Sequence, residues 1–312
     1  MKVYGGIEAG GTKFVCVVGS GPDQILAEER IPTTAPDETI ARAQAFFKQH
    51  EREHKLAAIG IASFGPVDLD RDSPTYGYIT TTPKPGWAQI DLRGKIAQAL
   101  DVPIAFDTDV NAAAFGEHYW VPQNRRLDPL LYMTIGTGIG VGAIVNEQPL
   151  HGMLHPESGH IFLPHDWQVD AYGGFCPYHG DCFEGLAAGP AIAKRWGQSG
   201  EMLPADHPAW ALEAHYIGLA LANLILSFSP QVIVLGGGVM QQAGLHARAR
   251  YEVQRILNGY LQSDRILQQI EEYIVPPALG NRSGVLGAIA LAAAVEGAAS
   301  PMGKTVVTGQ MC

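Results

Sequence analysis

Charge is scarce in this chain of 312 residues: Asp, Glu, Lys and Arg together make up 17%, against roughly 25% in a typical soluble domain. Positive charge is scarcer still, with 21 Lys and Arg against 31 Asp and Glu and a net charge of −10. That balance excludes the broad basic face with which a nucleic-acid-binding protein displaces counterions, and it excludes a polybasic membrane anchor. It leaves room for a small anion such as a nucleotide, which backbone amides hold without basic side chains. Cysteine is sparse as well, at Cys16, Cys176, Cys182 and Cys312. No charged-then-apolar leader opens the chain. The most apolar late run, residues 285–295, is short of the roughly 20 residues that a bilayer-spanning helix needs. The expectation is a cytoplasmic protein with reduced thiols that meets neither membrane nor nucleic acid. In that setting, close cysteines point to a metal before a disulfide.

Glycine, by contrast, is plentiful: 37 residues, with no collagen period and no long polar tract to account for them. The length suits two domains of roughly 150 residues. Strand-like and helix-like segments alternate along the chain, which is α/β order. Strands are expected at residues 2–7, 14–18, 25–31, 57–62, 103–106, 130–135, 141–145 and 232–235. Helices are expected at 36–54, 92–100, 111–120, 190–196, 208–228, 243–258 and 283–295. One internal echo stands out: residues 3–15 and residues 131–143 both read as strand, glycine turn, strand. Either these are two unrelated hairpins, or each opens a similar lobe that offers its turn to a shared cleft. Residues 301–312 carry little pattern and read as a mobile tail.

Three glycine turns are candidates for holding an anion. Gly10-Gly11-Thr12-Lys13 follows a strand, and its glycines let N–H groups point into one concavity beside a hydroxyl and a charge. Gly136-Thr137-Gly138 repeats the device, and Gly236-Gly237-Gly238 lies between a strand and a helix. None fits the P-loop pattern or the dinucleotide-binding fingerprint. Any one turn alone is readily structural; three in one chain point to a nucleotide. Asp107-Thr108-Asp109-Val110-Asn111 sits at a strand end entering a helix, where a carboxylate takes a proton from a substrate hydroxyl or, alternatively, Asp107, Thr108 or Asp109 simply caps the helix.

Five of the eleven histidines fall between positions 151 and 179, beside two of the four cysteines. The tightest piece is Cys176-x2-His179-x2-Cys182, a spacing that suits a tetrahedral zinc ion pinning an irregular loop. A fourth ligand would come from His151, His155, His160 or His165; the alternative is a pair of loop thiols with unrelated histidines.

In this order the pieces resemble the ROK family of bacterial sugar kinases, and its fructokinase members in particular. The resemblance covers residues 2–296. It is carried by Gly5-Gly6-Ile7-Glu8-Ala9-Gly10-Gly11-Thr12-Lys13, Phe64-Gly65-Pro66-Val67-Asp68, Thr81-Thr82-Pro83-Lys84-Pro85-Gly86-Trp87, Asp107-Thr108-Asp109-Val110-Asn111-Ala112, Ile135-Gly136-Thr137-Gly138-Ile139-Gly140, His155-Pro156-Glu157-Ser158-Gly159-His160 and Cys182-Phe183-Glu184-Gly185. It implies a two-lobed actin/hexokinase-like, ribonuclease H-like ATPase fold with mixed sheets and a central cleft. The implied lobes are residues 1–112 with 286–300, and residues 113–285. The implied activity is ATP-dependent phosphorylation of D-fructose to fructose 6-phosphate.

The same resemblance implies the site residues. Asp109 matches the general base. Gly65, Pro66, Thr82, Pro83, Asn111, Glu157, His160 and Glu184 match sugar-binding positions. Gly10, Gly11, Thr12, Lys13, Gly136, Thr137, Gly138, Gly237 and Gly238 match ATP-binding positions. His160 becomes the fourth ligand of a structural zinc with Cys176, His179 and Cys182. Magnesium enters with ATP, with Glu8 and Asp109 as its carboxylates, and a homodimer is implied. Two positions depart from the pattern: Glu8 stands where the family usually has aspartate, and His179 where it usually has a third zinc cysteine. Rival expectations are glucokinase, mannokinase or mixed hexose activity, and a non-catalytic sugar sensor. A sugar-responsive repressor is disfavoured, because the strand pattern opens at Lys2 with no helix-turn-helix before it and the net charge is wrong for DNA.

Overall fold

The computed structural model describes residues 2–299, so the tail expected at 301–312 lies outside the described residues. The chain divides into two compact units. One runs through Ala112 and takes up the chain again from Gly284; the other is Ala113–Ser283.

The first unit is built on a five-stranded sheet of order β3-β2-β1-β4-β7. Its strands are β1 (Val3–Ala9), β2 (Lys13–Gly21), β3 (Gln24–Pro32), β4 (Leu56–Ser63) and β7 (Ile104–Thr108). A two-stranded ribbon, β5 (Tyr78–Ile79) with β6 (Ile90–Asp91), lies apart from it. The first three strands form an antiparallel meander, while β1, β4 and β7 run parallel. β4 is almost wholly buried, as expected of a parallel strand covered on both faces. β3, at the edge, is mostly open and carries Glu28, Glu29 and Arg30.

Helix α1 (Pro36–Glu51) starts on a proline with Asp37 and Glu38 in its first turn, and it buries Ile40, Ala43, Phe46 and Phe47. Helix α2 (Leu92–Ala99) is capped by Asp91, whose Oδ1 accepts from the Gly94 N–H at 2.7 Å. Helix α3 (Asp109–Trp120) follows β7 without a loop. It therefore begins two residues before the expected 111–120 helix and takes in Asp109.

The last helix, α10 (Ser283–Ala299), rests its backbone directly on the sheet. A Cβ added to Gly60 of β4 would lie 1.9 Å from the Ala288 carbonyl oxygen, and one on Gly6 of β1 would lie 3.1 Å from that of Val285. Two glycines on neighbouring central strands thus let the helix approach.

The second unit repeats the strand plan. Its sheet has the order β10-β9-β8-β11-β12, from β8 (Leu130–Ile135), β9 (Ile139–Val145), β10 (Gln148–Pro149), β11 (Val232–Gly236) and β12 (Ile274–Val275). Again three strands form an antiparallel meander and two continue in parallel. The echo between residues 3–15 and 131–143 is therefore one topology used twice.

The helices of this unit are α4 (Phe183–Ala187), α5 (Gly189–Trp196), α6 (Ala209–Phe228), α7 (Leu245–Leu257), α8 (Asp264–Leu267) and α9 (Ile270–Tyr273). α6 is long and apolar enough, with a mean hydropathy of 1.4, to cross a membrane by length and composition. Here Tyr216, Ile217, Ala220, Leu221, Leu224 and Ile225 pack it into the core of the unit.

Candidate active site and metal centre

In the first unit one register row does most of the positioning. Ala9 of β1 pairs with Ser63 of β4, and Ser63 pairs with Thr108 of β7. All three strands run parallel and end in this row. Three chain segments consequently leave the sheet at one edge, about 4.8 Å apart from strand to strand. They are the Gly10-Gly11-Thr12 turn, the Phe64-Gly65-Pro66 loop with its cis Gly65–Pro66 bond, and Asp109. The carboxyl edge of parallel strands is where α/β proteins keep their ligands.

The turn is closed by Gly10 N–H donating to the Lys13 carbonyl at 3.0 Å, and the Thr33 hydroxyl donates to the Gly10 carbonyl at 2.7 Å. Gly11, Thr12 and Lys13 are exposed. Glu8 ends differently: its carboxylate lies against Gly284 and accepts from Val285 N–H at the start of α10. Burial pushes this carboxyl above its usual range, with Lys13 pulling the other way. A half-buried carboxylate at the strand edge is a fit position for a hard cation.

At the β7–α3 junction the capping alternative resolves onto Thr108. Its hydroxyl accepts from Asn111 N–H at 3.1 Å, the bond an N-cap makes. Buried Asp107 accepts from both the Thr108 N–H and the Asn111 amide, each at 2.8 Å. The half-buried Asp109 sits in the first turn with Oδ1 accepting from Val110 N–H at 2.9 Å. Thr82 and Pro83 belong to the segment after β5; Trp87 anchors that segment through Nε1–H to the Thr34 carbonyl at 2.9 Å and ring contacts with Phe14 and Phe64.

In the second unit the other two glycine turns meet. Gly136 follows β8, Gly237 follows the parallel β11, and a Cβ on Gly136 would lie 3.9 Å from the Gly238 nitrogen. Gly237 has φ +97, and a Cβ there would strike the Ile135 backbone at 2.3 Å. Gly189 N–H, at the start of α5, donates to the Gly136 carbonyl at 2.7 Å. Glu184 of α4 accepts the Ile139 N–H at 2.9 Å. Glu157 is close enough for the Glu184 charge to add to desolvation in pushing its carboxyl upward. The side chain as a whole stays 46% exposed.

Gly159 admits this segment to the sheet, since a Cβ there would lie 1.9 Å from the Ile139 carbonyl oxygen. His160 N–H donates to the Glu157 carbonyl at 2.9 Å, and His160 lies beside Cys176, His179 and Cys182.

The donor atoms of His160, Cys176, His179 and Cys182 all lie within 4.8 Å of one another. His160 Nδ1 is 3.5 Å from Cys182 Sγ and 3.7 Å from Cys176 Sγ, and His179 Nδ1 is 3.6 Å from Cys176 Sγ. Tetrahedral zinc with ordinary Zn–S and Zn–N bonds places N and S about 3.5 Å apart, so the residues fit the ion. Without a cation, burial and the neighbouring Cys176 push the Cys182 thiol up to about 12. Of the other candidate histidines, His165 bonds Asp181 Oδ2 and the Asp170 carbonyl, each at 2.9 Å. His155 is buried with Nδ1 3.4 Å from Glu157, and His151 is exposed and outside the cluster.

The model of the ROK family matches residues 4–295. This chain belongs to the ROK family. It is 46% identical over 294 residues to the fructokinase of Streptococcus mutans, covering 93% of this chain and 97% of that one. It is 43% identical over 300 residues to the fructokinase of Zymomonas mobilis, covering 95% and 98%. Among solved structures it resembles the ROK hexokinase from Thermus thermophilus, with a TM-score of 0.74 and 27% identity over 94% of this chain and 98% of that one. The fold is the actin-like ATPase fold of such kinases, as the resemblance implied.

Several supports of this ROK site had no signal in the sequence. Arg195 of α5 reaches Asp170 with Nε–Oδ1 at 3.2 Å and Nη2–Oδ2 at 3.0 Å, and Tyr216 donates to Asp170 Oδ2 at 2.7 Å. This buried group fastens the loop ahead of Cys176 to α5 and α6. Its members are 25 and 46 positions apart, beyond any local spacing rule.

Proposed function

We propose that this ROK protein transfers the γ-phosphoryl group of ATP to the O6 hydroxyl of D-fructose, giving fructose 6-phosphate and ADP. The observation that carries the reading is the Ala9–Ser63–Thr108 register row, which delivers a glycine turn and the Asp109 carboxylate to one sheet edge. Likeness to two fructokinases over more than nine-tenths of both chains supports the choice of sugar.

Asp109 accepts the O6 proton as the phosphoryl group moves in line. Thr108 caps α3 and Asp107 holds the neighbouring amide, while Asp109 Oδ1 accepts from Val110 N–H. Asn111, Glu157, His160 and Glu184, with the Gly65-Pro66 and Thr82-Pro83 segments, orient the sugar. The amides of Gly10, Gly11, Gly136, Gly138, Gly237 and Gly238 and the hydroxyls of Thr12 and Thr137 cradle the phosphates, with Lys13 adding charge. The transition state is loose, so positioning and charge neutralisation supply most of the rate. Magnesium bound with ATP supplies neutralisation of the phosphate oxygens, and Glu8 and Asp109 are the carboxylates offered to it. Zinc held by His160, Cys176, His179 and Cys182 supplies a fixed loop geometry beside Glu184. The cytoplasm, where ATP is at hand and thiols stay reduced, is the compartment that suits this activity. The exposed Met153, Phe162, Val169 and Tyr178 of the second unit are apolar surface available to a homodimer partner.

The test is Asp109→Asn in a coupled ADP-release assay with fructose. We expect turnover to fall by about 10²- to 10⁴-fold, the usual contribution of a positioned base, with fructose binding retained. Turnover within a few-fold of the parent overturns the assignment.

A further inference from the structure

We propose that Glu184 is a positioning residue for the Gly136-Thr137-Gly138 turn, so that this carboxylate supports nucleotide binding as well as facing the sugar. The inference rests on the kinase reading above and adds a task to one of its residues.

The turn joins β8 to β9. Gly136 N–H donates to the Gly138 carbonyl at 2.9 Å, which closes it. On its far side, Ile139 N–H donates to Glu184 Oε2 at 2.9 Å. A Cβ on Gly138 would come within 2.7 Å of the same oxygen, so the carboxylate occupies the space that glycine leaves. On its near side, the Gly136 carbonyl accepts from Gly189 N–H at 2.7 Å. Gly189 follows directly on Ala188, whose N–H donates to the Glu184 carbonyl at 3.1 Å. One residue therefore holds the turn through its side chain at one end and through a short run of backbone at the other.

Glu184 is itself placed by the loop before it. α4 begins after Cys182, two residues upstream, and Phe183 N–H donates to the Ile161 carbonyl at 2.9 Å. Removing the carboxylate leaves the N–H of the buried Ile139 without an acceptor, and the turn has to reorganise to find one. Its amides then no longer converge where the phosphates bind. A buried donor left without its acceptor accounts for a loss on the order of tenfold to a hundredfold in affinity.

The experiment is calorimetric titration of Mg–AMPPNP with no sugar present, so that sugar contacts contribute nothing. Parent, Glu184→Gln, Glu184→Asp and Glu184→Ala are compared, with melting temperatures recorded to confirm that each is folded. Gln keeps an acceptor oxygen at the same reach and should bind the nucleotide within about threefold of the parent, while its KM for fructose rises. Asp keeps the charge but is one methylene short, so Asp and Ala should both weaken nucleotide binding by tenfold or more. Parent-like binding by the Ala variant overturns the proposal. So does a Gln variant as weak as the Ala variant, because charge rather than the bond to Ile139 would then be at work. If the parent itself binds no nucleotide, it is the kinase reading that fails.

Discussion

Removing the zinc proposed for the His160, Cys176, His179 and Cys182 cluster should loosen one loop and leave the rest of the chain folded. The perturbation is chelation, or Cys176→Ser. The three N···S separations of 3.5, 3.6 and 3.7 Å match tetrahedral zinc, and binding releases the thiol protons. A ligand present at about a thousand times its dissociation constant stabilises the native state by about 4 kcal/mol. For a unit of this size, each kcal/mol moves the melting temperature by about 2–4 °C, so a drop on the order of 10 °C is expected. The drop should be confined to the melting temperature. The Asp170–Arg195 pair and the His165–Asp181 bond hold the same loop from other points, and the loop contains scarcely any helix or strand, so the far-ultraviolet spectrum should barely change. The assay is elemental analysis with differential scanning fluorimetry before chelation, after it, and after zinc is restored. Zinc-free protein that melts like untreated protein, or freshly purified protein without zinc, would refute the reasoning.

Two further outcomes follow from buried carboxyls. Glu213 is 2% exposed, its Oε1 lacks a hydrogen-bond partner, and burial raises its carboxyl well above the usual range against the pull of Arg195. The native state thus keeps a proton that the unfolded chain releases near the ordinary value of about 4.3. Stability should fall as pH rises above that value, and Glu213→Gln should flatten the slope in urea melts at pH 5 and pH 8; parallel slopes would count against this. Glu117 of α3 is fully buried and accepts from Ala278 N–H at 3.1 Å, Leu279 N–H at 3.0 Å and the Ser283 hydroxyl at 2.8 Å. Glu117→Ala should cost about 3 kcal/mol by stranding those donors, and a loss under 0.5 kcal/mol in chemical denaturation would show that they find other partners.

Features that depend on neighbours in sequence were the legible ones. The two hairpins at residues 3–15 and 131–143 declare themselves by apolar runs around glycine, and the structure gives them matching places in two sheets of one plan. The Cys176, His179 and Cys182 spacing marks a candidate metal loop, and the structure brings a donor atom of His160 within 4.8 Å of theirs. What stayed hidden depends on long-range contact or on very short elements. α4 has five residues, too few for a helical period, yet it carries Glu184. At residues 107–109 sequence does not separate capping from catalysis, because an Asp carboxylate suits either; hydrogen bonds assign the cap to Thr108 and the Asn111 amide to Asp107. α6 shows the opposite failure: its composition resembles a membrane span, and only its packing in the core of the second unit tells what its apolar faces meet.

The central claim is tested most directly by giving the untreated protein ATP, magnesium and one hexose at a time, and identifying the phosphorylated product by nuclear magnetic resonance. With fructose the account expects stoichiometric ADP and fructose 6-phosphate, at a kcat/KM above that for glucose, mannose or N-acetylmannosamine. Phosphorylation of glucose or mannose in preference to fructose, or no sugar-dependent ADP release at all, would contradict it.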